Sequence, residues 1–577
     1  MSKTEVVLRV AGAAGDGIAS SGEAFAKICS RSGLHLLAYN SYQSVIRGGF
    51  IWLQIRASHE KVFTHGNKVD FLIALNQREF ERNCVDIVPG GAILYNSDKI
   101  KPNKDKINEN IILCPLPVGQ IIKDIGRNPI LQNTVALGAL IKLLDLDFEN
   151  MANVIRDYFG KKKQTAMEVN LQVSKAGYDY ADKNLPQFDF KLETDLDNKR
   201  PVLTGNQALS LGSISAGCKF YAAYPMTPAS SILHWLSAHS IQTGMVVKQA
   251  EDEISVINMA IGASFAGARS MVGTSGGGFS LMTEAIGLAG QTETPLVIIN
   301  SMRGGPSTGL PTKTEQADLF QAIGASQGDF PKVIIAPSTV EDCYYSTIEA
   351  FNLADKYQLP VILLSDLFLS EHMESVDSFN FDAIIDRGEI VTHKPSDNAY
   401  RRYKFTPTGV SPRAFPGTSG TIFQATSDEH DDFGNVISDV FTDPEMRTKI
   451  MDKRMKKMDF VKKDLPIPKL YGTDDAKLTL VSWGSTFNVI RESMHFFSQE
   501  NLPINHLHIK YLAPFQSGIQ KILETSNDTL IIEGNFTGQL SKLITMETGF
   551  KINHTLFKYD GEPFYTEEII DKVRDII

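Results

Sequence analysis

The segment from Tyr224 to Thr312 contains four short sequences rich in glycine, proline or charge: YPMTP at 224–228, QAEDE at 249–253, TSGGG at 274–278 and MRGGPSTG at 302–309. Each follows a short apolar run of the kind that forms a buried strand. When such strands alternate with helices they form a parallel sheet, and the sequences after them meet along its carboxyl edge. Open α/β sheets bind ligands at that edge, so the segment predicts an α/β domain with one composite site.

The acidic residues after the second apolar run open a predicted helix that ends at Ala266. Acidic residues in a first helical turn complement the helix dipole, which is a sufficient explanation for Glu251 and Asp252. Glu253 differs, because apolar residues such as Ile257 follow it at helical spacing. We therefore expect its carboxyl to face the interior, where desolvation raises proton affinity and suits acid–base chemistry.

Two prolines stiffen the loop after the first apolar run. Pro225 and Pro228 restrict the backbone on either side of Thr227, so the Thr227 hydroxyl is expected to point in a fixed direction. That hydroxyl is either part of a ligand site or the N-cap of a helix that begins near Ala229.

The last two of the four sequences supply a glycine-rich backbone that a ligand can approach closely, at 274–278, and a cation, at Arg303. Gly276 and its neighbours let a ligand or a partner subunit come near the chain. Arg303 follows a predicted strand and precedes two more glycines, a position suited to a carboxylate. A surface arginine in a loop is the alternative.

The N-terminal region begins with a strand at Val6–Val10, a glycine turn at 12–17 and a helix from Ile18 to Ser30, which is the start of a doubly wound unit. Three interpretations of the turn stay open. It is a dinucleotide site, although its spacing departs from G-x-G-x-x-G. It is a thiamine diphosphate–magnesium motif made of Gly15-Asp16-Gly17 and Asn40. Or it is a tight turn that packs helix on strand.

The C-terminal half is more varied in composition. Residues 378–466 are irregular and rich in proline, and the acidic loop Asp428–Asp432 is either a metal site or, more simply, a solvated loop. Glu445–Lys463 predicts a basic helix with an exposed face, for a subunit contact or for solvent. From Leu478 onward, strands alternate with glycine turns and helices, which predicts another α/β domain.

Bulk properties exclude several classes of protein. The 577 residues carry a net charge of −10, which argues against a general nucleic-acid binder. The five cysteines are scattered without a C-x-x-C motif, so a disulfide framework, a zinc site or an iron–sulfur cluster held by this chain alone is not expected. No apolar run is long enough for a membrane span and the first residues enter a strand directly, so we expect a cytoplasmic protein.

The four sequences taken together resemble the alpha subunit of 2-oxoacid:ferredoxin oxidoreductases. The usual family loop reads Tyr-Pro-Ile-Thr-Pro, from which Met226 departs conservatively. The glycine turn and the loop Arg47-Gly48-Gly49 resemble the gamma domain of the same family, which indicates a fused gamma–alpha order. In that family the gamma domain helps assembly and lies near the coenzyme A site, but the resemblance assigns no coenzyme A contact to individual residues.

The resemblance implies roles for specific residues. Glu253, with Gly262 nine positions later, is similar to the glutamate that hydrogen-bonds the aminopyrimidine of thiamine diphosphate and activates it. Thr227 and Arg303 would contact the oxoacid. Pro225 and Gly276 would line the cofactor site beside Glu253.

The resemblance also implies the fold: α/β, with several doubly wound domains. We expect a gamma-type domain at 1–182 and a linker at 183–200. A domain like the pyrimidine-binding domain of thiamine enzymes follows at 201–377, then the irregular segment 378–466. A domain like the C-terminal domain of transketolase follows at 467–577, where Glu533, Asn535 and Gln539 are either interface or site residues.

The implied activity is oxidative decarboxylation of a 2-oxoacid with coenzyme A, giving acyl-CoA, carbon dioxide and reduced ferredoxin. The sequence GGPSTGLPT after Arg303 resembles the 2-oxoglutarate-type subgroup and favours that substrate, and pyruvate, branched-chain and aryl oxoacids remain open. A beta subunit would carry the diphosphate–Mg²⁺ site and a [4Fe-4S] cluster, share the thiamine diphosphate and form an (αβ)₂ assembly. Two alternatives remain: a non-catalytic assembly subunit that binds coenzyme A or a nucleotide, and a stand-alone thiamine enzyme.

Overall fold

The computed structural model describes residues 3–14, 16–42, 48–103, 105, 107–125, 131–160, 163–190, 192–393, 400–438 and 442–577. Two compact units are formed: Met1–Thr204 with Glu371–Ser378, and Gly205–Ser370 with Phe379–Ile577. Gly15 and Arg47 lie outside the described residues, so the predictions on them are not taken further. The five-part division into domains stays a prediction.

The first unit is built on an eight-stranded mixed sheet. With strands numbered along the whole chain, its members are β1 (Glu5–Ala14), β2 (His35–Ser41), β3 (Gly48–Ser58), β4 (Val69–Ala74), β5 (Ile87–Asn96), β6 (Ile112–Leu116), β7 (Val202–Thr204) and β14 (Met373–Ser375). Their order is β6-β5-β4-β1-β3-β2-β14-β7. The half from β6 to β1 is parallel, whereas the strands from β3 to β7 pair antiparallel.

Helices accompany this sheet, and the N-terminal turn leads into the first of them. They are α1 (Ile18–Arg31), α2 (Gln77–Asn83), α3 (Val118–Ile121), α4 (Gln132–Leu143), α5 (Phe148–Phe159) and α6 (Gln164–Asn184). In the turn before α1, the Asp16 carboxylate accepts hydrogen bonds from Ala13 N at 2.8 Å and from Asn76 Nδ2 at 3.2 Å. Gly17 has φ 81°. These contacts within the unit support the tight-turn interpretation for Asp16 and Gly17.

The second unit contains a seven-stranded sheet whose order is β18-β12-β13-β11-β10-β8-β9. The strands are β8 (Phe220–Ala223), β9 (Val246–Gln249), β10 (Ser270–Thr274), β11 (Leu296–Met302), β12 (Val333–Ile335), β13 (Pro360–Asp366) and β18 (Tyr511–Ala513). All neighbours are parallel except β18, which pairs antiparallel with β12. Every residue of β10, β11 and β13 is buried, as expected for central strands covered on both faces.

Seven helices connect these strands. They are α7 (Gly205–Ser215), α8 (Ser230–Thr243), α9 (Glu253–Phe265), α10 (Gly276–Gln291), α11 (Leu319–Ile323), α12 (Val340–Tyr357) and α13 (Leu367–Glu371). Helices α9 and α10 pack on the sheet through one apolar core that includes Ile257, Ala260, Phe279 and Met282. Because α8, α9 and α10 each follow a strand of this sheet, their N-termini lie at its carboxyl edge.

A third sheet of five strands also belongs to the second unit, in the order β15-β17-β16-β19-β20. Its strands are β15 (Leu470–Gly472), β16 (Leu478–Ser482), β17 (Ile504–His508), β19 (Thr529–Glu533) and β20 (His554–Phe557). The nearby helices are α14 (Pro444–Asp464), α15 (Thr486–Gln499), α16 (Ile519–Thr525), α17 (Gln539–Thr548) and α18 (Thr566–Ile576). All of its strands are parallel except β15. The predicted α/β fold class is confirmed.

The acidic loop does not match the expectation of a solvated segment. Glu429 pairs with Arg447 and Arg454, and Asp432 accepts a hydrogen bond from Arg401 at 2.7 Å. His430 is fully buried. Within the described ranges, no group of three or more His, Cys, Asp and Glu residues is arranged to hold a metal ion. The loop is a partly buried, ion-paired corner, in which arginines from its surroundings offset the charge of Glu429 and Asp432.

The basic helix α14 is also more buried than its composition indicates. Lys453 and Lys457 lie on its inner face, where both ammonium groups donate to the carboxylate of Glu293. Arg402 donates to the backbone carbonyl of Glu293 at 2.8 Å. The exposed face that the sequence predicted is present on the other side of the helix, and the sequence did not predict the ion-paired inner face. No helix in the described part of the chain has the length and apolar character needed to cross a bilayer.

Candidate active site

The four short sequences between Tyr224 and Thr312 end at one edge of the second unit. Thr227 follows β8, Glu253 follows β9, Gly276 follows β10 and Arg303 follows β11. Since these four strands are parallel neighbours, their carboxyl ends meet at the same side of the sheet. The structure thus brings the predicted residues to one edge.

Glu253 is the first residue of α9 and its side chain is buried, with 2% of the residue exposed. Asp252 caps the helix by accepting a hydrogen bond from Ser255 N at 2.7 Å. The helix therefore begins with Glu253 turned inward and Asp252 turned toward the backbone. Burial raises the pKa of the Glu253 carboxyl above its ordinary range, and hydrogen bonds to the carboxylate, including one from Thr274, partly oppose this. The Thr274 Oγ1 to Glu253 Oε1 distance is 3.5 Å.

Gly278 explains why the start of α10 is rich in glycine. A Cβ atom at Gly278 would collide with Thr274 Oγ1 and Glu253 Oε1. The absence of a side chain therefore lets the first turn of α10 lie directly against the Glu253 carboxyl. Gly276, the first residue of the same helix, faces Asp318 instead: a Cβ there would lie 2.7 Å from Asp318 Oδ2.

The side chain of Arg303 contacts the backbone of Thr227. The guanidinium Nη1 of Arg303 donates to the Thr227 carbonyl oxygen at 2.7 Å. Helix α8 begins at Ser230 with Ala229 as its N-cap residue, so Thr227 does not cap that helix. Burial lowers the pKa of the Arg303 guanidinium, against the negative charge of Asp318. Pro225 is half-buried in the loop between β8 and α8, and its role stays a prediction.

Sequence reasoning missed Asp318, which lies close to this group. Its Oδ2 accepts a hydrogen bond from Asn300 Nδ2 at 3.1 Å, and Asn300 is a fully buried residue of β11. Burial raises the pKa of the Asp318 carboxyl, although Asn300 and Arg303 favour its charged form. The only signal in the sequence was an acidic residue at the end of the loop that starts at Arg303, and loop acids are usually solvated.

Two family models match most of the chain. One, described as pyruvate flavodoxin/ferredoxin oxidoreductase, thiamine diP-bdg, matches residues 211–447. The other, described as pyruvate ferredoxin/flavodoxin oxidoreductase, matches residues 7–180. The first covers the whole edge described above.

Full-length relatives extend this match. A 2-oxoacid:ferredoxin oxidoreductase subunit alpha from Sulfolobus sp. is 31% identical over 98% of this chain and 96% of its own length. The chain belongs to this family of alpha subunits. The 2-oxoglutarate oxidoreductase subunit KorA of Mycobacterium tuberculosis is also 31% identical, over 98% of this chain and 90% of its own.

A solved structure agrees with these sequence matches. The 2-oxoglutarate:ferredoxin oxidoreductase from Magnetococcus marinus, solved with 2-oxoglutarate, coenzyme A and succinyl-CoA bound, has 34% identity and a TM-score of 0.93. The match covers 99% of both chains. The predicted family is confirmed, and so is the prediction of an oxidoreductase subunit with a thiamine diphosphate-binding domain. As an alpha subunit, the chain is part of a multi-subunit oxidoreductase.

Proposed function

We propose that this chain serves an enzyme that converts 2-oxoglutarate and coenzyme A to succinyl-CoA and carbon dioxide and passes two electrons to ferredoxin. The observation that carries the proposal is the buried Glu253 carboxyl against the glycine start of α10, at the same sheet edge as Arg303. An acid–base group and a carboxylate receptor are the two parts that this reaction needs from the alpha subunit.

The residues fit thiamine diphosphate on chemical grounds. A carboxyl that burial keeps protonated more readily than usual can share a proton with a ring nitrogen of the aminopyrimidine. Gly278 lets the backbone of α10 lie directly against this carboxyl and so fixes the wall of the pocket beside it. When bound, thiamine diphosphate supplies the electron sink for the decarboxylation. The role of Glu253 is to hold a proton at its carboxyl, and the role of Gly278 is to keep the helix backbone against that carboxyl.

Arg303 is suited to the carboxylate of the oxoacid. A guanidinium has five N–H donors in a planar fork. One hydrogen bond to Thr227 O therefore leaves N–H donors that can bind a carboxylate. This bond also holds the Thr227 segment beside the arginine. We assign Arg303 to binding and Thr227 to orienting the substrate.

The choice of 2-oxoglutarate is supported by two relatives and by the loop after Arg303. The matched M. marinus enzyme was solved with 2-oxoglutarate, coenzyme A and succinyl-CoA bound, and the M. tuberculosis relative is named for the same oxoacid. The same loop contains the sequence that favoured this subgroup.

Exposed apolar side chains beside the site support a partner subunit. Ile254 and Met259 on α9 and Leu281 on α10 are 51%, 40% and 50% exposed. Large apolar residues grouped beside a site often mark a protein interface. We propose that a beta subunit covers this face, shares the thiamine diphosphate and carries the Mg²⁺ and [4Fe-4S] sites, in an (αβ)₂ assembly in the cytoplasm.

The test uses the complex purified anaerobically through a tag on this chain. Iron–sulfur absorbance is recorded before and after addition of 2-oxoglutarate with coenzyme A, and in parallel with pyruvate. Bleaching that needs both 2-oxoglutarate and coenzyme A is the expected result. Bleaching with pyruvate alone would correct the substrate, and a colourless preparation without a second chain would overturn the proposal.

A further inference from the structure

The third sheet has the geometry of a ligand-binding sheet. Its central strands follow the order β17-β16-β19-β20, in which β16 comes first along the chain and its two neighbours lie on opposite sides. Sheets of this order bind ligands in the crevice at the carboxyl ends of the two strands where the direction of winding reverses. In this sheet that crevice lies between β16 and β19, next to Trp483 and Gly534.

The side chain of Gln316 occupies this crevice. Gln316 Nε2 donates to Trp483 O at 2.9 Å, and Gln316 Oε1 accepts from Gly534 N at 2.9 Å. A Cβ atom at Gly484 would lie 2.7 Å from Gln316 Nε2, so the glycine after β16 makes room for the amide. Only 2% of Gln316 is exposed. A residue of the loop between Arg303 and Asp318 therefore occupies the position where a ligand of this sheet would bind.

Two more side chains, in the turn after β19 and at the start of α17, hold the backbone around Gln316. Asn535 Nδ2 donates to Gln316 O at 3.1 Å. Gln539 donates to Ala317 O at 2.7 Å and accepts from Phe320 N at 3.0 Å. Asn535 and Gln539, whose role the sequence left open, thus form hydrogen bonds to the backbone on both sides of Asp318.

These contacts are linked to Arg303 in two ways: by hydrogen bonds within the loop and by the charge of Asp318. The loop closes on itself where Leu310 N donates to Gly304 O at 2.8 Å and Gly304 N donates to Lys313 O at 3.0 Å. Its far end carries Asp318, whose charge acts on Arg303. Fixing Gln316 therefore fixes the Asp318 end of the loop, while the bonds of Gly304 to Leu310 and Lys313 tie the Arg303 end to the same loop.

We infer that Gln316 is a positioning residue: it fills the ligand crevice of the third sheet and thereby sets the place of Arg303 for the oxoacid carboxylate. This inference rests on the proposed role of Arg303. The third sheet acts on the reaction by holding a loop of the same chain and takes no small ligand of its own in that crevice.

The experiment compares Gln316→Ala and Gln316→Glu with the unmodified complex. A misplacement of about 1 Å costs up to about a hundredfold in rate, so Gln316→Ala is expected to lower kcat/KM for 2-oxoglutarate by about 10- to 100-fold. The KM for coenzyme A should stay the same. Gln316→Glu keeps the volume but places an acceptor oxygen against Trp483 O and buries a charge without a cation, so its loss should be at least as large. Gln520→Ala, an exposed glutamine on α16, is the matched control without effect.

A merely structural role would reduce the active fraction and leave the KM for 2-oxoglutarate unchanged, which would overturn the inference. In a double-mutant cycle with Arg303→Lys, the effect of Gln316→Ala on kcat/KM should shrink. The reason is that Gln316 acts through the contact between Arg303 and the oxoacid carboxylate, which Arg303→Lys already weakens. Full additivity would also overturn it. If the complex does not turn over 2-oxoglutarate at all, the proposed function fails. Amide hydrogen exchange at 303–318 then still tests whether Gln316 holds the loop: exchange faster in Gln316→Ala or Gln316→Glu than in the unmodified complex would show that it does.

Discussion

Two buried glutamates of the second unit differ in the charges around them. Glu253 faces a threonine hydroxyl and a glycine, and burial raises the pKa of its carboxyl. Glu293 faces Lys453 and Lys457 at 2.6 and 2.5 Å. Although its burial acts in the opposite direction, these two charges hold the pKa of Glu293 well below the ordinary range.

The difference separates a chemical role from a structural one. A buried carboxyl without a cation can gain and lose a proton when a ligand arrives, whereas one between two ammonium groups is a permanent anion. Burial also acts to lower the pKa of the Lys457 ammonium, and the charge of Glu293 opposes this. Depth of burial alone therefore does not distinguish a site from a structural anchor, but the partners do.

The largest effect is expected from Glu253→Gln, which keeps the shape and removes the titrating group. Loss of an acid–base group costs about 10²- to 10⁴-fold in rate, and we expect that loss in 2-oxoglutarate-dependent ferredoxin reduction. The matched control is Glu251→Gln, an exposed residue two positions earlier, which should retain activity. Equal activity of both variants in an assembled complex would remove Glu253 from the mechanism.

Glu293→Gln should act on stability instead. It leaves two buried ammonium groups without their anion, and breaking such a cluster costs about 3–5 kcal/mol. Denaturant unfolding measures this, with the exposed Glu284→Gln as a control expected within about 0.5 kcal/mol of the unmodified protein.

The same variant makes a prediction on pH. Because the pKa of Glu293 is lowered in the folded state, its stabilisation is complete above the pKa of an unfolded glutamate and is lost as pH falls below it. Glu293→Gln should flatten that acid limb of the stability profile. An unchanged acid limb would show that another carboxylate is responsible.

Gly278→Ala tests the contact that shapes the Glu253 pocket. The added methyl group collides with Thr274 and Glu253, so the carboxyl must shift, and we expect about a 10- to 100-fold loss of rate. A Cβ at Gly277 meets no atom within 4 Å, so Gly277→Ala leaves the Glu253 carboxyl in place and should lose less activity than Gly278→Ala. Equal losses of activity in the two variants would show that the collision is not the cause.

The smallest effect is expected from Thr274→Val. The hydrogen bond from Thr274 lowers the pKa of Glu253, so its removal should raise that pKa further. Because the proposed role of Glu253 is to hold a proton, the alkaline limb of the kcat/KM profile should move to higher pH. A shift to lower pH, or none, would contradict the assigned hydrogen bond.

The sequence predicted the parts of this architecture that depend on local pattern. The strand–turn–helix repeats, the inward-facing Glu253 and the position of Arg303 after a strand all follow from periodicity and from the order of elements. The burial of Lys453 and Lys457 did not follow, because a charged helix face is buried only where a distant residue such as Glu293 supplies the partner. Gln316 was missed for the same reason, since its amide partners lie 167 and 218 residues further along the chain.

The three residues of β18 make the C-terminal region inseparable from the middle of the chain. They pair with β12 and cover the open edge of the seven-stranded sheet. A chain shortened to end at residue 466 would expose the apolar β12 with unpaired backbone groups, a template for adding strands from other molecules. Such a fragment is expected to aggregate, so cutting the chain at this apparently modular junction would yield insoluble protein.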